Sequence, residues 1–314
     1  MEWAQLMSDD WKIKYYAGLI YLNAGAEEKG ISIWKNVGDI PDFTPFYIAR
    51  SGLWDEGSTQ AQSDVEKALS LGENDWRAGL YAAMFYLSKE DIQKAERIAQ
   101  KYYLKFPKNY YLGLQYARIL EQEKKYTNCI SLLKNIQVLP NEGASEGRTI
   151  WRNSNIGNAL DLMDAGKFRN AIDNIGLALQ WPVNLGVGKP YLADERLENY
   201  VLLQCYKRLK DNKSVNRTEQ GLLSSSEQKK LTSDENDFIS AWILRETGNK
   251  TGANQIMKEL LEKNPLSNII QWCGKIYSND LEGARNLESK IDDNAVIDQF
   301  LIRLFDKHDF DKRN

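Results

Sequence analysis

The sequence predicts an all-α chain, a right-handed α-solenoid of stacked antiparallel helix hairpins. Three observations lead there. Small residues recur about a dozen positions apart, breakers of helix follow at a similar step, and Val and Ile do not alternate with polar residues over a useful strand length. With 42% hydrophobic and 27% charged residues and only 7 Pro in 314, the chain can bury a large core, and general disorder is excluded.

The spacing is regular enough to serve as a ruler. Ala83, Ala95 and Pro107 are separated by steps of 12 and 12, as are Ala241, Ala253 and Pro265. Steps of 12 and 11 relate Ala159, Ala171 and Pro182, then Gly18, Gly30 and Pro41, then Ala117, Cys129 and Pro140. Ala49 and Ala61 are followed by Gly72 as the breaker. From Ala49 to Ala83 to Ala117 the advance is 34 each time, the period of tetratricopeptide repeats.

The residue types have a physical reason. Two short antiparallel helices cross closely only where side chains are small. A Pro cannot donate the next helical hydrogen bond and disfavours helix in the residue before it, so it ends the second helix. Helices of a dozen residues are marginal alone, and stacking on neighbours supplies the missing burial. Helix pairs are expected near 11–37, 43–71, 75–105, 110–136, 148–181, 195–222, 235–263 and 267–290, with a closing helix near 294–306. One repeat domain thus covers 11–306, between an N-terminal segment 1–10 and a tail 307–314. The sixth pair has the weakest signal, because 211–226 is polar and lacks the small-residue mark.

Composition excludes several function classes. A formal charge of −3 lacks the basic excess of a phosphate-neutralising surface, so no nucleic acid is expected as a partner. No apolar run approaches the roughly 20 residues needed to span a bilayer. The opening Met1-Glu2-Trp3-Ala4-Gln5-Leu6 has no cationic region of a signal peptide. The compartment, cytoplasmic or periplasmic, is left open. Cys129, Cys205 and Cys273 are far apart and read as buried thiols. One histidine, His308, cannot build a His-based metal site or a Ser-His-Asp arrangement. The acidic groups Asp194, Glu195, Glu198 and Asp234, Glu235, Asp237 fall at expected helix starts, where they suit the helix dipole. No catalytic residue, metal or cofactor is expected, and the chain is read as no enzyme.

Two stretches break the short turns. One is Asn141-Glu142-Gly143-Ala144-Ser145-Glu146-Gly147-Arg148; the other runs from Trp181-Pro182 through Tyr191 to Asp194-Glu195-Arg196. Long loops in a compact array tend to carry function. Gly186-Val187-Gly188-Lys189 lacks the strand, the glycine spacing and the hydroxyl of a phosphate loop, with Pro190 in the hydroxyl's place. Two readings stay open: glycines with positive φ folding the loop as a brace, or a recognition loop offering Lys189 and Arg196 as cations and Trp181 and Tyr191 as flat apolar faces.

The same strings carry a resemblance. Leu139-Pro140-Asn141-Glu142-Gly143-Ala144, Gly147-Arg148, and Trp181-Pro182-Val183-Asn184-Leu185-Gly186-Val187-Gly188-Lys189-Pro190-Tyr191 with Asp194-Glu195-Arg196 resemble the tetratricopeptide region of a bacterial family. Pro41-Asp42-Phe43, Pro45-Phe46-Tyr47, Ala49-Arg50 and Trp76-Arg77 fit it too. The resemblance covers most of 11–210 and fades after Lys210. In that family the repeats follow a β-sandwich domain similar in type to carbohydrate-active sandwiches, of which this sequence has none. Trp3, Leu6, Met7 and Trp11 form an apolar face with nothing before it, so the chain is expected to be the C-terminal part of a longer protein.

The functional expectation is a non-catalytic scaffold holding a protein segment, or a domain of its own protein, in the superhelical groove. The alternative is a carbohydrate-binding accessory module, for which 9 Trp, 16 Tyr and 9 Phe supply rings. Arg148, Trp181, Asn184, Gly186, Gly188, Lys189, Tyr191, Asp194 and Arg196 are the candidate partner-binding residues.

Overall fold

The computed structural model describes residues 10–55, 58–140, 144–228 and 235–306. They contain seventeen α-helices and no strand. Hairpins form from α1 (Trp11–Asn23) and α2 (Glu27–Lys35), α3 (Thr44–Ser51) and α4 (Thr59–Leu71), and α5 (Trp76–Ser88) and α6 (Ile92–Lys105). α7 (Tyr110–Gln122) and α8 (Tyr126–Leu133) follow in the chain, and further hairpins pair α9 (Glu146–Asp164) with α10 (Phe168–Ala178) and α11 (Arg196–Leu209) with α12 (Asn212–Gln228). The last hairpins are α13 (Glu235–Glu246) with α14 (Lys250–Lys263) and α15 (Asn268–Tyr277) with α16 (Leu281–Glu288), before α17 (Val296–Phe305). This is an all-α helical-repeat fold. Residues 1–9 and 307–314, with Trp3, Leu6, Met7 and His308, lie outside the described residues, as do Asn141, Glu142, Gly143 and Asp234.

The start signals are local. Asp10, Ser58, Asp75, Asp91, Asn109, Asp211, Asn249, Ser267 and Asp280 each accept a hydrogen bond from a backbone N–H of the turn they precede. The turn inside a hairpin is also conserved in geometry. An N–H bonds back five residues, as from Asp91 to Tyr86, Lys125 to Leu120, Lys167 to Leu162 and Asn249 to Leu244, around one residue of positive φ. Glycine fills that place at Gly25, Gly166 and Gly248, but Glu90, Lys124, Lys210 and Asn279 fill it elsewhere. Those four were not legible as turn residues because no glycine marks them.

The chain divides into two compact units, 1–119 and 120–314. In the first unit, Ala83 and Ala95 are fully buried as the ruler requires, and Gly18 and Gly30 are buried in the first hairpin. Ala49 is exposed, a correction to the ruler. The second hairpin is joined instead by an ion pair one residue along: Arg50 Nε and Nη2 donate to both oxygens of Asp64 at 2.9 and 2.6 Å. Gly38 O accepts from Nη1 and Asp39 from Nη2, and Trp54 Nε1 donates to Asp64, so every guanidinium nitrogen of the buried pair has an acceptor. Several crossings place a ring over a glycine. A Cβ on Gly18 would fall 2.0 Å from Trp34 Nε1, and one on Gly79 2.0 Å from the Tyr102 ring.

Proline marks the ends less directly than expected. Helices stop two residues before Pro107 and Pro265, but α8 ends at Leu133 and α10 at Ala178, well ahead of Pro140 and Pro182. The intervening residues are packed chain: Ile136 and Val138 are buried. The polar sixth hairpin does form, with α12 running to Gln228 and Leu222 buried against α11 and its neighbours.

In the second unit the first helices of successive hairpins pack on one another, α9 on α11 and α11 on α13. The closing helix α17 crosses that row and packs on α9. Its Phe305 stacks on Tyr200 of α11 with centroids 4.7 Å apart and meets Phe238 and Trp242 of α13 edge-on at 4.7 and 5.1 Å. Arg303 pairs with Asp161 and Asp164 of α9. The row of first helices in this unit is therefore engaged by the chain's own last helix.

Two outcomes follow. Gly79→Ala should lower stability by about 1–3 kcal/mol despite a helix-propensity gain of about 1 kcal/mol, because Tyr102 must move; an unchanged or raised urea midpoint would contradict the close crossing. Phe305→Ala should cost about 3–5 kcal/mol by emptying a buried aromatic site. A thermal unfolding curve superimposable on that of the parent would mean that α17 is not docked.

Candidate functional site

The second sequence break folds as a stapled loop with an exposed crest. A 3₁₀ turn over Val183–Leu185 follows Pro182. Asn184 Nδ2 donates to Leu133 O and Ile136 O at 2.9 and 2.8 Å, and Asn184 O accepts from Val138 N–H at 2.8 Å. Leu185 is fully buried beneath it. Gly186 has φ of 80°, and a Cβ there would lie 3.0 Å from Val138 Cγ1, so glycine is needed for both conformation and space. Gly188 needs neither: its φ is not in the positive region and no atom lies within 4 Å of an added Cβ. The expectation of two positive-φ glycines holds for one.

Past this base the loop turns outward. Val183, Tyr191 and Leu192 are 89%, 99% and 77% exposed. Behind them a cleft of about 260 Å³ opens between the first turns of α9 and the start of α11. Arg148, Arg152, Trp181, Leu192, Asp194 and Glu198 are among the residues lining it. Three of the nine candidate residues, Arg148, Trp181 and Asp194, thus meet in one hollow. Lys189 reaches its rim through an ion pair with Glu195. Asn184 and Gly186 serve the loop's base, and Tyr191 its crest.

Arg196 is not an offered cation. It is buried, donates to both oxygens of Asp194, and reaches Asp237 Oδ1 at 2.6 Å and Ser240 Oγ at 3.0 Å on α13. Burial opposes its charge, but Asp194 and Asp237 together outweigh that and raise its pKa. Its work is to tie the loop's end to two helices. Glu198 and Asp237, read from sequence as helix-start acids, are likewise buried partners of arginines. Arg152 holds Glu198 with two hydrogen bonds, and Asp194 behaves as expected, accepting from Arg196 N–H at 3.2 Å.

Arg148 differs from its neighbours. It is 5% exposed, lies over the Trp181 ring at 4.4 Å, and donates from Nη2 to Ala178 O at 2.7 Å. Its Nε and Nη1, and Trp181 Nε1, are buried with no hydrogen-bond acceptor. A buried donor left unmatched costs about 1–3 kcal/mol, more when charged. Burial pulls the Arg148 pKa down to about 10, with Arg152 adding repulsion against the attraction of Glu198 and Glu195. The sequence flagged Arg148 and Trp181 but held no sign that their donors would stay unmatched.

Other features offer less. A larger hollow of about 490 Å³ borders Asp164, Phe168, Gln204 and Arg208, but Asp164 is already paired with Arg303. Around the exposed Tyr111 of the first unit the rings stack on one another: Trp76 on Tyr111 at 6.0 Å, Tyr111 on Tyr110 at 4.2 Å, with Arg77 against Trp76. Those faces are taken, not laid out as a sugar platform. Cys129 and Cys205 have thiol pKa values pushed up to about 12 by burial, so both are poor nucleophiles. Among the described residues no group of His, Cys, Asp or Glu could hold a metal ion, and no helix is long and apolar enough to cross a membrane.

Asn184→Ala should leave the helices folded but free the loop base, and Val138 N–H exchange with solvent should accelerate. Unchanged Val138 protection would show that the staple is dispensable.

No family model matches this chain, and no curated protein matches it. Solved structures similar to it include PilW, a widely conserved type IV pilus biogenesis factor, at 12% identity and a TM-score of 0.36 over 71% of this chain and 97% of that one. PilF of Pseudomonas aeruginosa is similar at 11% and 0.40 over 90% and 97% of the two chains. Yeast Tom70 is similar at 16% and 0.41 over 95% of this chain and 58% of its own. At such identities and scores the likenesses carry neither a partner nor a process to this chain.

Proposed function

We propose that this protein is a binding scaffold for a protein segment, and that its contact surface includes the loop from Pro182 to Glu195. The observation that carries the reading is the pairing of a fixed base with an apolar crest. Val183, Tyr191 and Leu192 are almost wholly in water, although Asn184, Leu185 and Gly186 bind the loop firmly to the helices behind it. Exposed apolar groups on a held loop give contact area with little ordering cost on binding. The row of first helices in the second unit is engaged by α17, which favours the loop as the contact surface. A carbohydrate accessory role has no comparable observation behind it, and neither has docking of a domain of the same protein.

The test is site-specific photo-crosslinking in the source cells. A benzoylphenylalanine at position 191 should give a discrete protein adduct that is absent when the probe replaces exposed Lys258, and that is weakened by Lys189→Ala and Trp181→Ala. Equal adducts at 191 and 258, or none at 191, would remove the loop from the contact surface.

A further inference from the structure

Helix α1 is apolar on the side it does not bury. We propose that this face docks a second copy of the chain, α1 against α1 in antiparallel sense. The surface lies in the first unit, and the inference is independent of the loop reading.

Lys12, Lys14 and Asn23 are the only charged or amide side chains of α1, and a helix apolar all round is one covered on more than one side. One side is accounted for. Tyr15 stacks on Trp34 with centroids 5.5 Å apart, Gly18 admits the same Trp34 ring, and Leu22 fills the space beside Gly30. The opposite side carries Ile13, Tyr16, Ala17 and Ile20, spaced i, i+3, i+4 and i+7 as in a packed helix seam, with Ala24 continuing it at the cap. Yet Tyr16 and Ile20 are 62% and 57% exposed, and Ile13 and Ala24 are exposed as well. By contrast, Ala49 is the only exposed residue of α3.

The order of sizes along the seam singles out a second copy. Turned end for end about a two-fold axis level with Gly18 and Leu19, the seam sets Ile13 opposite Ala24 of the second copy and Ile20 opposite its Ala17. Each pair places a bulky side chain over a small one. The chain already closes its own hairpins in this way, with Trp34 over Gly18 and Tyr102 over Gly79. The charges agree with the reversal. Lys12 and Lys14 lie toward the start of α1, whereas Glu27 and Glu28 open α2 just beyond its end. Of the other charges there, Asp10 is engaged as the cap of α1 and Lys29 lies over the Tyr21 ring. Antiparallel pairing thus brings the acids of each copy toward the cations of the other and opposes the two helix dipoles. Parallel pairing would gather like charges and set Ala17 against Ala17, leaving a gap.

The test is sedimentation equilibrium of the full chain. One helix face is small for a specific interface, so the dimer should be half formed at about 10–100 µM. Ile20→Glu, at an exposed position, should weaken it at least about tenfold, with the unfolding midpoint of the dilute monomer unchanged. Orientation is read by cysteine pairing, which the buried native thiols do not disturb. Ile13→Cys and Ala24→Cys chains, mixed under mild oxidation, should give a disulfide-linked dimer. Either variant alone should not, since like positions would lie roughly 16 Å apart along the helices. A linked dimer from Ile13→Cys alone, a dimer indifferent to Ile20→Glu, or a monomer at every concentration would overturn the proposal. Should Trp3→Asp with Leu6→Asp turn such a monomer into a dimer, residues 1–9 and not a second copy would be the occupant of the face.

Discussion

The structure depends on how closely helix backbones approach one another. At Ala83 and Ala95, Ala159 and Ala171, or Ala241 and Ala253, side chains are small enough for helices of a dozen residues to touch along their length. At Gly18 and Gly79 the missing Cβ goes further and admits a whole Trp or Tyr ring. The benefit is dispersion contact and apolar burial that helices this short could not gain alone. The second hairpin shows that the requirement is a filled crossing and not a small residue as such. There Arg50 and Asp64 occupy the space with a planar, doubly bonded pair, and the aromatic rings of Phe46 and Tyr47 lie against the guanidinium.

Arginine has a recurrent part in this chain because its planar fork can be buried if every donor finds an acceptor. Each guanidinium nitrogen of Arg50 and Arg196 has an acceptor, including Asp64 on the next helix for the first and Asp237 on α13 for the second, and Arg152 holds Glu198 by two bonds. These pairs fix which helix faces which. Arg148 sits among them in a similar setting and does not meet that condition.

The docking of α17 closes part of the helical-repeat surface. In the second unit the row of first helices is engaged by Phe305, Arg303 and their neighbours. A helix on the same chain is present at high effective concentration, so an outside segment would have to compete with it there.

Helix-hairpin architecture was legible in the sequence because its cause is local and periodic. Small residues every dozen positions, capping Asp and Ser, and breakers between them act over one turn to one repeat, and the expected helix pairs match the observed ones to within a few residues for most. Ala49, exposed where a buried small residue was expected, marks the limit of the ruler, since Arg50 and Asp64 are 14 residues apart and nothing in their spacing announces a pair. The loop was visible as a break in period, and Asn184, Gly186, Arg148 and Trp181 within it as unusual residues. What each does was decided only by tertiary structure. Whether a guanidinium finds its carboxylate depends on elements brought together from Arg196 to Asp237, or fails to, as at Arg148, and whether a groove is open depends on where residues 296–305 come to rest. Local sequence sets the helices because backbone hydrogen bonds and side-chain size act over short range; burial and charge pairing are settled by neighbours distant in the chain.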